Sequence, residues 1–592
     1  MAIPPTRAAE DGQPLIDPPT QPIPPIEPTQ PLEALRSAEA SRAAESMRAT
    51  RAEPPRRAPA GPSLGRASGM MAIASLVSRI TGFLRQIALV AVLGVTVLND
   101  SYTVSNTLPN IVYELLIGGV LSSVLIPLLV RSQAEDADGG EIYIRRLLTL
   151  AGTALLITTA LAVGSAPLLT RLYISDGTST ADPELATTLA YLLLPQIFFY
   201  GIGAVLGSVL NSRGAFGAFA WAPVLNNVVV LTMLGLYLLL PEGARLLVLG
   251  LGTTLGIVAQ TAVLLPAIHR TGFRYRPVWG WDARLSAARK LAGWAVLYVL
   301  IGQVGYIVTT RIASGSAEGA VTVYSNAWLL LQVPYGVLGV SLLTALMPRM
   351  SRAAAAGRFG DVISDVSLGS RLCAVFLIPV SAVFTAFGPE LGVALFGLRE
   401  ANLDGARMLG AALAVSAFGL APFAVTLLQM RVFYAMTDSR TPTAVQLFTV
   451  VVKVALMLGC AAVLEPRSVV LGLAAANSLS FAAGAVLGQV LLRRRLGRLP
   501  SRAILSTGLR TLVTAATGAL AARVVLALLD LEPMAAFSPL ARAWIALFVA
   551  VVVGGPLMLL LMQVLRVREI DPLLRRIDGM VDRLRARRAG SG

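Results

Sequence analysis

Two arginines in the first long apolar segment are the residues whose type and spacing could do chemistry inside a membrane. Arg79 and Arg85 lie in the sequence SRITGFLRQ at residues 78–86. A charged side chain at the centre of a bilayer costs at least roughly 2.5–3.5 kcal/mol, so membrane arginines usually face a water-filled cavity. We interpret the pair as one wall of a cavity that receives an anion. The alternative is that the side chains extend to the membrane surface, which suits Arg79 better than Arg85.

Helical geometry groups this pair with other polar or small residues. At about 100° per residue, one arc of roughly 120° holds both arginines and three further candidate site residues, Ser78, Gly82 and Gln86. The apolar residues of the stretch lie on the opposite side, which suits lipid or packed helices. The segment therefore predicts a helix with one cationic face that is indented at a glycine.

The composition is that of a membrane protein with many spans. The chain has 592 residues, of which 55% are hydrophobic and 14% charged, and its mean hydropathy is +0.71. A net charge of +16 could indicate nucleic-acid binding. However, most basic residues outside the N-terminal tail lie in short connections between apolar segments, so we interpret them as a topology signal and expect no nucleic-acid partner.

The residues that usually carry metal, redox or acid–base chemistry are scarce. The two cysteines, Cys373 and Cys460, each lie inside an apolar segment, and the chain has one histidine, His269. This composition predicts neither a disulfide framework nor a metal site. We therefore expect a protein that is not an enzyme and holds no cofactor.

Fourteen apolar segments are each near the roughly 20 residues needed to span a bilayer, which predicts an all-α polytopic membrane protein. Their approximate ranges are 69–96, 100–131, 143–172, 184–211, 217–240, 244–267, 286–313, 318–347, 363–388, 404–434, 441–463, 468–492, 503–530 and 539–566. Along the chain, connections that are rich in Arg and Lys alternate with connections that are poor in them. By the positive-inside rule, both termini are expected in the cytoplasm, which requires an even number of spans.

Short sequence echoes six spans apart indicate an internal repeat. Residues 118–131 resemble residues 339–352, with Pro127 matching Pro348 and Arg131 matching Arg352. Two units of the same orientation predict parallel repeats with a site between them. We expect an N-terminal lobe at 67–275, a C-terminal lobe at 276–497 and two extra helices at 498–567, although chance similarity of apolar strings is the alternative.

The two ends of the chain have a different composition from the spans. Residues 1–66 are rich in Pro, Ala, Arg and Glu, which predicts a disordered cytoplasmic tail that either docks a partner or is untethered. Residues 568–592 place apolar residues at helical spacing among arginines. That pattern predicts an amphipathic basic helix on the inner leaflet or a linker helix.

Several motifs together resemble the MurJ (MviN) family over roughly residues 68–566. They are Ser78-Arg79-x-x-Gly82-Phe83-x-Arg85, Asn99-Asp100, Leu108-Pro109-Asn110 and Val333-Pro334-x-Gly336-Val337-x-Gly339. The resemblance implies a lipid II flippase of the MOP exporter superfamily, with two six-helix lobes around a central cavity and a groove for the lipid tail at the two extra helices. The long tail and the variant Val321, Tyr324 and Asn326 resemble actinobacterial members.

The resemblance also implies roles for individual residues. Arg79 and Arg85 match the family's cavity arginines, and Asp100 matches its acidic residue at the outer end of the first helix. Arginine suits a diphosphate because its donors form a fork that two oxygens can fill. On the second helix, Asn110 and Glu114 are further candidate substrate-binding residues, although Tyr113, Glu114 and Gly118 stand where family members often place basic and acidic residues.

The chain departs from the family pattern at several positions. Gln86 stands where an acidic residue often follows the second arginine, and Trp328-Leu329 with Gln332 stand where the eighth helix often carries Asp-Arg and Glu. The C-terminal lobe thus lacks its expected cation, and Arg311 and Lys453 are candidate substitutes. Alternatively, Arg311 marks the outer interface, while Lys453 extends to the surface or pairs within the bundle.

The energy source stays open at this point. The sodium site of some members needs membrane carboxylates in the seventh and eleventh helices, and the sequence has none there. We therefore expect no metal. A cycle that moves charge could instead draw on the membrane potential, at about 2.3 kcal/mol per elementary charge per 100 mV, or on another ion.

We interpret the chain as a transporter of the cytoplasmic membrane that moves lipid II by alternating access. The partners expected are lipid II, the bilayer and, for the tail, cytoplasmic cell-wall regulatory proteins. The nearest alternatives are a flippase for another polyprenyl-linked glycan and a multidrug–cation antiporter, although an antiporter should show more buried carboxylates. An alternative of another class is a membrane scaffold for cell-wall enzymes.

Overall fold

The computed structural model describes residues 64–115, 126–174, 182–399, 402–529 and 537–571, and within them all regular structure is helical. The predictions for the tail at 1–66 and for the closing helix at 568–592 lie almost wholly outside the described residues. So does most of the first repeat echo, at 118–125. The all-α prediction is confirmed.

Helices α1–α10 form what we call the N lobe. Their bounds are α1 Leu64–Leu93, α2 Val97–Leu115, α3 Ile126–Glu135, α4 Glu141–Gly164, α5 Ala166–Tyr173, α6 Pro183–Leu193, α7 Gln196–Ser212, α8 Phe216–Leu239, α9 Glu242–Ala262 and α10 Leu264–Arg270. Three predicted spans are each divided into two helices, as α4 with α5, α6 with α7, and α9 with α10. Pro167 and Pro195 lie at two of these divisions, where a residue without an N–H interrupts the helical ladder.

Helices α11–α18 form the C lobe, and α19–α21 follow it. The bounds are α11 Ala283–Ser314, α12 Ala320–Pro334, α13 Val340–Ala355, α14 Phe359–Phe396, α15 Leu403–Ser416, α16 Leu420–Ala435, α17 Arg440–Val463, α18 Pro466–Leu496, α19 Ser501–Leu529, α20 Pro539–Val549 and α21 Gly555–Val564. Pro334 precedes a π-helical turn, Tyr335–Gly339, that joins α12 to α13. A second π turn, Ala550–Gly554, joins α20 to α21.

Twelve helical stretches among the described residues are long and apolar enough to cross a membrane. They account for twelve of the fourteen predicted spans. The other two, 100–131 and 318–347, are also helical where described. The first contains residues outside the described ranges, and the second is interrupted by the π turn after Pro334.

Successive spans run in opposite directions, so the bundle has two ends. We call the end with the arginine-containing connections at 212–216, 435–440 and 493–502 the basic end. The end where Asp100 begins the second span is the Asp100 end. Asp136, Arg213 and Arg284 lie at the basic end, and Arg311, Glu390 and Arg542 lie at the Asp100 end.

Among the described residues, the two lobes share a hydrophobic core at the Asp100 end. At the Asp100 end, one hydrophobic cluster joins Val90 and Val104 of the N lobe to Val321, Val323 and Leu413 of the C lobe. Toward the basic end the clusters are separate. One contains N-lobe residues only, between Leu129 and Phe273, and another contains C-lobe residues only, between Leu346 and Leu499. Hydrophobic packing therefore fastens the lobes together at the Asp100 end.

Candidate substrate-binding cavity

Arg79 extends from α1 of the N lobe to the π turn of the C lobe. A Cβ placed on Gly336 would lie 3.5 Å from Arg79 Cζ and closer still to Arg79 Nη1. The guanidinium therefore occupies the space that any larger residue at position 336 would fill. Pro334 sets this geometry, because it ends α12 just before the turn that presents Gly336. The glycine of the eighth-span motif thus has a specific partner on the first span.

Neither Arg79 nor Arg85 is neutralised by a described partner in this conformation. Within the described part of the chain, Arg79 and Arg85 make no hydrogen bond and no ion pair, and Arg85 Nε is buried without a partner. Arg85 interacts electrostatically with the buried phenol of Tyr102, whose hydroxyl lies 3.1 Å from Thr253 Oγ1. A buried donor without a partner costs about 1–3 kcal/mol, more when it is charged. Both side chains therefore carry a charge that no described carboxylate balances.

Part of the predicted polar face is taken up by packing inside the N lobe. Asn227 of α8 donates from Nδ2 to Ser78 O at 3.2 Å and to Thr81 Oγ1 at 3.0 Å. A Cβ on Gly82 would lie 3.4 Å from the same Nδ2, so Gly82 also faces α8. Ser78 lines a cavity of about 380 Å³ within the N lobe. Gln86 is half-buried. Packing of α1 on α8 thus accounts for Ser78 and Gly82.

Asp100 lies between the two lobes, at the N-terminus of α12. Its Oδ1 accepts hydrogen bonds from Thr322 N at 2.8 Å and Thr322 Oγ1 at 2.6 Å, and its side chain is fully buried. A carboxylate at a helix N-terminus satisfies free N–H groups and interacts favourably with the helix dipole. In this conformation Asp100 therefore caps a helix of the opposite lobe.

Other polar contacts join the lobes at the same end. Asn402 Nδ2 donates to Val90 O at 3.2 Å, and the Thr107 and Tyr306 hydroxyls lie 3.3 Å apart. Arg311 Nη1 donates to the carbonyl oxygen of Arg171 at 2.8 Å, and it also approaches the Ile174 oxygen. The Arg311 guanidinium thus covers the C-terminal carbonyls of α5 at the Asp100 end. The structure does not bring it to Arg79.

Asn110 and Glu114 lie about one helical turn apart on α2. Asn110 Nδ2 donates to Asn106 O at 2.9 Å within the same helix. Glu114 is exposed, and its Oε2 accepts a hydrogen bond from Gln303 Nε2 of α11 at 3.0 Å. This contact crosses between the lobes, so Glu114 is the member of the pair that the structure places at their boundary.

Lys453 lies in the middle of α17, on the face that packs against α11. Val450, one turn before it, faces Gly305, where an added Cβ would lie 3.1 Å from Val450 Cγ1. Met457, one turn after it, receives Thr309 Oγ1 on its Sδ at 3.2 Å. Lys453 itself is half-buried and has no hydrogen bond or ion pair within the described residues. The structure therefore places this cation inside the C lobe.

Arg431 is a C-lobe cation that the sequence interpretation did not include among the candidate site residues. It belongs to α16, is exposed, and makes no ion pair within the described ranges. Its guanidinium interacts electrostatically with the phenols of Tyr298 and Tyr335. Tyr335 immediately precedes Gly336, the glycine that faces Arg79. Tyr298 also donates to Met430 Sδ at 3.5 Å, which holds α11 against this part of α16. The position of Arg431 inside the apolar segment 404–434 was the sequence signal that could have identified this residue as a candidate.

The carboxylates of the described residues are arranged as single groups or in ion pairs. No group of three or more His, Cys, Asp or Glu side chains among those residues is placed to hold a metal ion.

Two lobes around a cationic boundary on a bundle of long apolar helices define a membrane transporter of the MOP type. The family model described as lipid II flippase MurJ matches residues 89–562. The chain therefore belongs to the MurJ family, whose members are transporters rather than enzymes.

Comparisons with individual proteins agree with this assignment. The probable lipid II flippase MurJ of Haemophilus influenzae is 25% identical over 393 residues, covering 64% of this chain and 77% of that protein. The lipid II flippase MurJ of Burkholderia cenocepacia is 25% identical over 390 residues, covering 64% and 74%.

Solved structures show the same fold. A lipid II flippase MurJ in an inward closed conformation superposes with a TM-score of 0.67 at 17% identity, covering 84% of this chain and 99% of that one. An inward-facing MATE-family multidrug transporter superposes with a TM-score of 0.60 at 16% identity, covering 74% and 99%.

Proposed function

We propose that this chain flips lipid II from the inner to the outer leaflet of the cytoplasmic membrane by alternating access. The observation that carries the proposal is the pair of unneutralised guanidiniums, Arg79 and Arg85, on the helix that borders the opposite lobe. Lipid II carries a diphosphate between its polyprenyl chain and its disaccharide. Guanidinium groups bind such an anion with paired, charge-assisted hydrogen bonds, which are strongest where water is excluded.

The positions of the hydrophobic clusters support a direction of access. The lobes are packed together at the Asp100 end and have separate cores toward the basic end. With the basic end and both termini in the cytoplasm, as the positive-inside rule predicts, the diphosphate enters from the inner leaflet. Separation of the lobes at the Asp100 end, with loss of the Asp100–Thr322 contact, then releases it toward the outer leaflet.

Arg431 supplies the C-lobe cation of the proposed site. Its electrostatic interaction with Tyr335, the residue before Gly336, supports a role near the point where Arg79 meets the C lobe. An anion held by Arg79 from one lobe and Arg431 from the other would favour approach of the lobes, because opposite charges attract more strongly as water leaves. Arg311 and Lys453 are less suitable, since one covers the end of α5 and the other lies within the C lobe.

Membrane potential is the proposed energy source. A cycle in which the empty cationic site crosses part of the field would gain about 2.3 kcal/mol per elementary charge per 100 mV. Flipping measured in proteoliposomes with and without an imposed potassium-diffusion potential tests this coupling. Equal rates under both conditions would contradict it.

The N-terminal tail has a separate proposed role. Residues 1–63 lie outside the described residues, and we propose that they dock cytoplasmic cell-wall regulatory proteins without taking part in flipping. Deletion of residues 2–63 should leave flipping by the purified protein unchanged. A scaffold whose function depends on that tail would instead lose activity in cells and have no flipping activity to retain.

Binding of lipid II to the purified protein tests the cargo. Native mass spectrometry of the wild type should show lipid II bound in preference to undecaprenyl monophosphate. The Arg79→Ala/Arg85→Ala variant should bind it at least about tenfold more weakly, because each lost charged hydrogen bond costs about 1.5–3 kcal/mol. Equal binding by both proteins would place the site elsewhere, and binding of neither lipid would contradict the proposed cargo.

A further inference from the structure

A polar cavity that Arg79 and Arg85 do not line is present at the Asp100 end. It has a volume of about 610 Å³ and is enclosed by the ends of α14, α15, α19 and α20. Three arginines, Arg407, Arg523 and Arg542, line it together with Glu390 and Asp404. The cavity therefore lies where the C lobe meets the last helices, and nothing in the proposed flipping site uses it.

One of these arginines is already fixed and neutralised. Arg523 Nη1 and Nη2 donate to the two carboxylate oxygens of Glu390 at 2.6 and 3.1 Å, and Nε donates to Ala386 O at 2.7 Å. The guanidinium also lies over the ring of Phe387, 4.5 Å from its centroid. This ion pair joins α19 to α14 and forms a rigid polar wall of the cavity.

The other two arginines are available for an anion. Arg542 is exposed and has no hydrogen bond or ion pair within the described residues. Arg407 is 3.3 Å from Asp404, but their side chains are 56% and 98% exposed, so this contact contributes little. With Arg523 balanced by Glu390, the remaining charge is that of two exposed guanidiniums and one solvated carboxylate. The cavity thus carries a net positive charge.

The surroundings of the cavity are those of a lipid-facing site. Its inner lining is apolar and includes Met408, Ala543 and Ala546. Exposed Leu529, Phe537 and Trp544 flank it on α19 and at the start of α20. Trp is enriched where the hydrocarbon core meets the head groups, so this edge lies at the level of lipid phosphates.

We propose that this cavity binds the phosphate head group of an anionic phospholipid from the leaflet at the Asp100 end. The phosphodiester oxygens bind Arg407 of α15 and Arg542 of α20, and an acyl chain lies against the apolar lining. A lipid fits better than free phosphate because the cation pair adjoins exposed apolar residues. The bound lipid would connect the C lobe to the last two spans.

Native mass spectrometry of protein released from nanodiscs tests the proposal. The probes are phosphatidylglycerol, with phosphatidylethanolamine as the zwitterionic comparison. The Arg407→Gln/Arg542→Gln variant should retain phosphatidylglycerol more weakly, by roughly fivefold for each arginine, from about 1 kcal/mol per arginine at an anionic membrane surface. Retention of phosphatidylethanolamine should not change.

A matched variant, Arg171→Gln/Arg467→Gln, removes two exposed arginines from the same end outside this cavity, and its lipid retention should equal that of the wild type. If the cavity variant unfolds, Arg542→Gln alone provides the comparison, because this side chain has no partner to lose among the described residues. Equal phosphatidylglycerol retention by the wild type and the cavity variant would overturn the proposal. Displacement by millimolar inorganic phosphate would overturn the lipid assignment. Lipid II binding is measured separately, so failure here leaves the proposed flipping function intact.

Discussion

The Asp100 carboxylate of the N lobe caps the first turn of a C-lobe helix by accepting two hydrogen bonds from Thr322, at 2.8 Å from the backbone N–H and 2.6 Å from the hydroxyl. Both residues are buried, and 222 positions separate them in the chain. Hydrogen bonds to a charged group contribute about 1.5–3 kcal/mol each, so this contact is a principal polar link holding the lobes together at that end.

Removal of the carboxylate should open the Asp100 end more often. Spin labels at Leu239 and Val463, which are both 83% exposed at that end on opposite lobes, report the separation. In a background without Cys373 and Cys460, Asp100→Ala should add a longer distance to the distribution measured by double electron–electron resonance. A shift of about 1.4 kcal/mol would raise the open population tenfold.

Ser105→Ala provides the control for this experiment. Ser105 lies on the same helix but donates within the N lobe, to the Ser101 and Ala186 oxygens. Its loss should leave the distances unchanged. An unchanged distribution in Asp100→Ala as well would show that the Asp100–Thr322 contact does not control separation of the lobes.

Gly336 should be required for the position of Arg79. In Gly336→Ala, the new methyl group would occupy the place of the Arg79 guanidinium, and this flexible side chain would move away. The thermal stability should change little, whereas lipid II affinity should fall about tenfold because paired guanidinium contacts depend on geometry. Affinity and melting temperature, measured on the same preparation, separate these two effects.

Gly235→Ala is the matched control, because a Cβ at Gly235 would meet no atom within 4 Å. Wild-type affinity in Gly336→Ala would show that Arg79 need not occupy the space beside Gly336 to bind the substrate.

Arg431 should contribute to lipid II binding from the C lobe. Arg431→Ala should weaken lipid II affinity by about tenfold, as expected for the loss of one charge-assisted contact. Arg494→Ala removes another exposed arginine, from the basic end of α18, and should have no such effect. Titration of each purified variant with lipid II measures its affinity. Equal loss in the two would indicate a general surface-charge effect.

Arg284, at the basic end, joins the lobes by an ion pair with Asp136 and makes a second ion pair with Asp282. Arg284 donates to Asp136 Oδ1 and Oδ2 at 3.1 Å each, and also to Asp282. The hydrogen bond from the Arg284 side chain lowers the pKa of Asp282 below its ordinary 3.8. A lowered pKa stabilises the folded state above the unfolded pKa, and this contribution is lost as the pH falls through the folded value.

Arg284→Gln should therefore lower the melting temperature at pH 7, and the difference from the wild type should narrow below pH 3.8. Arg145→Gln breaks a 2.7 Å ion pair with Glu141 inside the N lobe and controls for loss of a cation. A difference for Arg284→Gln that persists undiminished at pH values well below 3.8 would exclude Asp282 as its source.

Sequence patterns predicted the helices because these depend on local properties, whereas the substrate-binding role of Arg79 and Arg85 stays a prediction. Hydropathy sets the spans, and an arginine inside an apolar span is costly enough to indicate a cavity wherever it occurs. The Arg79–Gly336 and Asp100–Thr322 pairings were not predictable in the same way. Each joins residues more than 200 positions apart, and only the packing of the two lobes brings them together.

The remaining site residues show where local patterns are insufficient. Ser78 and Gly82 share the helical arc of the arginines, yet they face α8 because Asn227 packs there. A cation near the end of an apolar span, such as Arg311, is a candidate for a cavity, but the Arg311 guanidinium donates to a carbonyl oxygen at the end of α5. These roles depend on partners contributed by other helices, which periodicity along one helix cannot specify.

The most direct test of the central claim is lipid II translocation in proteoliposomes, comparing the wild type with Arg79→Ala/Arg85→Ala. The proposed function predicts that wild-type vesicles expose labelled lipid II to an external probe with time, while the variant, reconstituted at equal density, stays near the protein-free rate. Translocation by the variant at the wild-type rate would contradict the claim that these two guanidiniums carry the diphosphate across the membrane.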